Sequence, residues 1–134
     1  MLFDFDLIIP PGTSQDTPTV TLAKLTRGKL TQIRVLFPPG PATLAHVVIR
    51  HNLYQLMPAN PEGTVNFDDA IITSNLDYDL VDVPYELQMI GWSPQAVYEH
   101  TITVQYDLQP ITGDTWDNFN DLLQQINSDR VRRF

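Results

Sequence analysis

The chain contains no cysteine. Disulfides, thiolate metal sites and cysteine nucleophiles are excluded together. Positive charge is scarce. Eight Lys and Arg stand against sixteen Asp and Glu, giving a net charge of −8 and an isoelectric point near 4.5. Phosphate backbones are gripped by Lys and Arg that release counterions, so direct nucleic-acid binding is not expected. The basic face that holds a protein on anionic lipid is missing too. No run approaches the ~20 apolar residues of a membrane-crossing helix. The opening residues MLFDFDLIIPPG place Asp4 and Asp6 where a secretion signal needs positive charge, so they read as folded structure. The six glycines stand singly, with no loop rich enough in glycine to cradle phosphate.

What is present points to one packed domain. The 134 residues are 43% apolar and 18% charged, which is enough apolar content for a core. The charges are zoned. Residues 51–129 hold thirteen acids and no Lys or Arg, while residues 130–134 hold Arg130, Arg132 and Arg133. Separated zones of opposite sign give copies of one chain complementary faces.

The periodicity is mostly two. Phe3, Phe5 and Leu7 alternate with Asp4 and Asp6, as in a strand with one buried face. Strands are expected at 19–25, 31–37 (with Ile33, Val35 and Phe37 on one face), 43–50 and 53–57. Others are expected at 64–67, 70–73, 76–81, 85–92 and 100–108. Arg27-Gly28-Lys29 and His51-Asn52 read as turns, and Pro38 to Pro41 break the chain. Roughly eight or nine short strands among these ten stretches, with turn signals about every ten residues, predict an all-β fold, an antiparallel β-sandwich of jelly-roll type. The period then changes. Trp116, Phe119, Leu122, Leu123 and Ile126 recur at helical spacing behind a cap at Asp114 or Thr115, predicting one C-terminal α-helix. Residues 1–113 thus form the sandwich, and 114–134 the helix and basic tail of the same domain. The Trp116/Phe119 stripe either packs on its own sandwich, the preferred reading, or docks on a neighbouring subunit.

Chemistry finds little footing. His46 and His51 have opposite strand parity and should not share a face, and His100 reads as a half-buried polar residue at a strand end. Asn75, Asp77, Asp79 and Glu86 match the ligand spacing of a calcium loop. However, Leu80 stands where the turn needs glycine and Pro84 lies inside, so the acids read better as the wet face of a strand. A looser surface calcium site at Asp68, Asp69 or Asp77 stays open. Ser14, Ser74, Ser93 and Ser128 lack a nucleophile-elbow pattern. No catalytic residue, cofactor or metal ligand is assigned. Trp92, Tyr98 and Tyr54 would suit sugar stacking if exposed, but packing is the better reading for Trp92 and Tyr54.

The segments TQIRVLFPPG, LAHVVIRH, LMPANPEG, VPYELQMIGW and EHTITVQYDL lie between residues 31 and 108. Together they resemble the small β-sandwich structural proteins of tailed-bacteriophage virions. The resemblance implies a non-enzymatic assembly role as a capsid decoration or cement protein, or another head or tail component. It would act in the virion after assembly in the host cytoplasm. The partners it implies are other copies of the chain, as a homo-oligomer, and virion proteins such as the major capsid protein. Arg130, Arg132, Arg133 and Phe134, with Trp116 and Phe119, are the candidate interface residues. Asp68, Asp69, Asp77, Asp79 and Asp82 form the candidate opposing face. The alternative is a carbohydrate-binding or host-attachment module.

Overall fold

A computed structural model of the chain describes residues 1–111. They form eight strands: β1 (Leu2–Ile9), β2 (Thr19–Lys24), β3 (Gly28–Phe37), β4 (His46–His51), β5 (Tyr54–Met57), β6 (Ala70–Leu80), β7 (Glu86–Trp92) and β8 (His100–Gln109). No helix occurs among the described residues. The expected C-terminal helix, with Trp116 and Phe119, lies outside them, as does the tail from Arg130 to Phe134.

The strands make two antiparallel sheets of four, ordered β1-β8-β3-β6 and β2-β7-β4-β5. Every connection but β4–β5 crosses from one sheet to the other. The exception is a two-residue hairpin at Asn52 and Leu53, where Asn52 takes the positive φ of 55° that such turns need.

Alternation explains which side each residue takes. In β8, His100, Ile102, Val104, Tyr106 and Leu108 point inward, and Thr101, Thr103, Gln105 and Asp107 outward. β3 changes phase once. Leu30 points inward, and the inward set resumes at Ile33, Val35 and Phe37 after an irregularity at Thr31. The Thr31 hydroxyl donates to the Asp107 carbonyl, tying the bulge to β8.

The inward residues of both sheets meet in one apolar core. The sheets approach closely at Gly91, where an added Cβ would lie 2.6 Å from Ile9 Cδ1 and 3.0 Å from Leu7 Cδ2. A glycine on β7 therefore leaves room for two side chains of the opposite sheet.

Four expected boundaries are corrected. The turn expected at Arg27-Gly28-Lys29 lies mostly within β3, which begins at Gly28 rather than at residue 31 because Gly28 and Lys29 pair with Leu80 and Asp79. The strand expected at 43–50 begins at His46, because Ala42 and Thr43 sit at φ 49° and 64° in a turn after the proline run. The strand expected at 64–67 is a single bridge from Val65 to Val47. The segments 70–73 and 76–81 are one continuous strand, β6, running straight through Ser74.

Candidate functional site

β6 is the longest strand and lies at an edge of its sheet; among the described residues it pairs with β3 alone. Its outward residues are Ile71, Thr73, Asn75, Asp77 and Asp79. The inward Ile72, Leu76 and Tyr78 are only partly buried, because β5 opposite is four residues long. The acidic group read from sequence is divided by this strand. Asp68 and Asp69 precede it, while Asp77, Asp79 and Asp82 gather at its far end, roughly 30 Å away at a strand's rise per residue.

The two acidic groups have different work. Asp68 Oδ1 accepts hydrogen bonds from the Gly40 and Ala42 amides, each at 2.9 Å, and so pins the loop after β3. Asp77 and Asp79 face solvent beside Lys29, whose Nζ lies 3.0 Å from Asp77 Oδ1 and 3.9 Å from Asp79 Oδ1. The hydrogen bond to Asp77, then the charges of Asp77 and Asp79, hold the Lys29 ammonium above its ordinary pKa. One lysine thus faces two carboxylates, with Asp82 just beyond.

Rows of outward side chains cross this sheet in register. Asp107, Gln32 and Asn75 form one row, and Gln109, Lys29 and Asp79 the next. Gln32 Nε2 donates to Asn75 Oδ1 at 3.0 Å. The second row has a structural consequence. β8 ends at Gln109, two strands from Asp79 and at the same end of the sheet.

At that end the seam between the sheets is closed by an aromatic group. His51 points inward from the end of β4, and its Nδ1 lies 2.6 Å from the Tyr78 hydroxyl of β6. The Tyr54 ring stacks on Tyr78 at 5.6 Å and 9°. Burial first, then Tyr54 and Asp82, raise the Tyr78 hydroxyl's pKa. His51 Nε2, Arg50 Nε and Gln55 Oε1 are buried without a hydrogen-bond partner among the described residues. A cavity of about 230 Å³ lies alongside, lined by Tyr54, Leu56, Ser74, Leu76 and Tyr78 among others. The alternation of Leu76, Tyr78 and Leu80 was the sequence signal that Tyr78 faces inward; its bond to His51 had none.

The histidine parity holds. His46 faces outward, stacks on Trp92 at 5.7 Å and 14°, and places Nδ1 3.0 Å from Thr64 Oγ1. Partial burial lowers its pKa. His100 opens β8 and is buried opposite Ile9. Among the described residues no group of three or more His, Asp or Glu is placed to hold a metal. Two of the serines are occupied structurally. Ser93 Oγ donates to the Pro10 carbonyl, and Ser14 Oγ accepts from the amides of Asp16 and Thr17.

The three candidate sugar-stacking aromatics do not converge. Trp92 is 8% exposed and is covered by His46. Tyr54 lies at the opposite end of β4, and Tyr98 stands 75% exposed in the loop before β8. A shallow surface depression of about 580 Å³ lies over Leu36, Ile71, Thr101 and Thr103 on the outer side of the first sheet. No helix among the described residues is long and apolar enough to cross a membrane. Compared with protein-family models, curated proteins and solved structures, the chain matches none.

Proposed function

We propose that the protein is a non-enzymatic structural component of a virus particle, acting through protein–protein contacts. In this reading it is a capsid decoration or cement protein, or another head or tail component. It assembles in the host cytoplasm with copies of itself and with the major capsid protein. The observation that carries the reading is the strand order β1-β8-β3-β6 against β2-β7-β4-β5. That is the order of an eight-stranded jelly roll, an architecture used by viral capsid and lectin domains. Fold analogy alone does not give function. Two physical features add to it. The sheets end in open edges that association would cover. The charge of the chain is also zoned, with a cluster of arginines at 130–133 against the acids at the end of β6.

The test is sedimentation velocity on the full chain and on a chain ending at residue 129. Assembly of the first and its weakening in the second, with an unchanged circular dichroism spectrum, are expected. A full chain that sediments as a monomer at every concentration overturns the self-assembly in this reading and shifts weight to the second reading below. A second reading, a carbohydrate-binding or host-attachment module, is favoured by one observation, the exposure of Tyr98 and its neighbour Val97. It predicts glycan binding that Tyr98→Ala abolishes.

A further inference from the structure

Edge strands carry unpaired backbone groups that template further strands, and proteins blunt them with proline, lysine or shortness. Two of the four edges among the described residues, β5 and β2, are treated that way, and β1 is only stopped by prolines beyond its end. β5 has four residues and runs into Pro58. β2 is preceded by Pro18 and ends in Lys24. β1 is followed by Pro10 and Pro11. β6 has eleven residues, AIITSNLDYDL, with neither proline nor lysine. Its inward residues are also only half covered, so the cavity at Leu76 and Tyr78 lies beside the open edge.

We infer that β6 is a docking edge for the C-terminal segment Arg130–Phe134 of a neighbouring copy, which adds to it as an antiparallel strand. The inference deepens the assembly reading and rests on it. Charge selects this segment. β6 offers Asp77 and Asp79 on one side of the strand, with Asp82 beyond, against Lys29. The sequence RVRRF is the one cluster of cations after residue 50. Its alternation fits a strand. Arg130, Arg132 and Phe134 fall on one side, and Val131 and Arg133 on the other. Set opposite Asp79, Asp77 and Asn75 in turn, the first three place Arg130 and Arg132 across from carboxylates, while Arg133 falls opposite Leu76. The backbone then supplies affinity and the paired charges supply register, as in other strand-addition complexes. Position allows the exchange. β8 ends at Gln109 in the same row as Asp79, so the chain leaves this sheet at the end where the acids lie.

The absence of cysteine makes the test direct. The full-length variants Asn75→Cys and Phe134→Cys leave every Asp and Arg in place. Mixed and oxidised, they should form a disulfide-linked dimer joining the two introduced thiols. Its yield should be about tenfold above Val20→Cys mixed with Phe134→Cys, a control on the other sheet, and should return to control level when Arg130 and Arg132 are changed to Glu. Light scattering on the same samples separates the failures. An assembled protein without the cross-link overturns the strand addition and leaves the assembly reading standing. A monomer without the cross-link overturns both. A double Asn75→Cys/Phe134→Cys chain that closes only on itself overturns the role of the neighbouring copy.

Discussion

Replacing Tyr106 with Phe should stabilise the protein. Tyr106 sits in the middle of β8 and is fully buried, its ring edge-on to Phe5 at 5.9 Å and 62°. Its hydroxyl has no hydrogen-bond partner among the described residues. Burial drives the hydroxyl's pKa far above its ordinary value, so the group stays neutral. A neutral hydroxyl still loses its water on folding, and one left unpaired costs about 1–3 kcal/mol. Phenylalanine keeps the ring and its contact with Phe5 and gives up only the oxygen. The small void left behind offsets part of the gain, leaving about 1 kcal/mol net. For a domain of this size that raises the melting temperature by roughly 4 °C. Urea and thermal unfolding, followed by circular dichroism, measure it. A loss of 1 kcal/mol or more would refute the reasoning, because it would mean that the hydroxyl is bonded.

The other predictions concern the packing between the sheets and the two outward-looking ends. Gly91→Ala pushes a Cβ into Ile9 and Leu7 and should cost about 1–3 kcal/mol in urea unfolding, as overpacking does. Tyr78→Phe removes the partner of the buried His51. It should cost about 1 kcal/mol, at the low end of the range because Tyr78 is half exposed and water can replace it. The lowered pKa of His46 means that the unfolded chain takes up a proton the folded chain resists. Its contribution to stability is therefore complete above its unfolded pKa of about 6.5 and is lost as pH falls through the lower folded value. Urea midpoints measured across that range should fall more steeply for the natural chain than for His46→Gln; equal slopes would count against the partial burial of His46.

Much of the fold was legible because a strand with one buried face announces itself. The alternation in residues 100–108 and the inward set Ile33, Val35 and Phe37 follow directly from side-chain period. β6 looked like two strands because Ser74 interrupts the apolar alternation. The polar residue is tolerated there because the inward side of this edge strand is half open. Residues 64–67 have strand-like composition, but only Val65 finds a partner, in Val47. The order of strands within each sheet was out of reach, since the pairings join residues as distant as Leu2 and Asp107. For the same reason sequence spacing could not bring His51 to Tyr78. Nor could it separate Asp68, which holds a loop, from Asp77 and Asp79, which face solvent. Trp92 was read as packed and is so, although it packs on the outward side of its sheet with His46, not in the central core.

The central claim is that this chain assembles through its own charged edge and tail. The most direct test is its absolute mass by light scattering across a range of ionic strengths. A mass several times 15.2 kDa is expected at low salt, declining as salt screens the Arg–Asp contacts. A mass of 15.2 kDa at every concentration and ionic strength would contradict it.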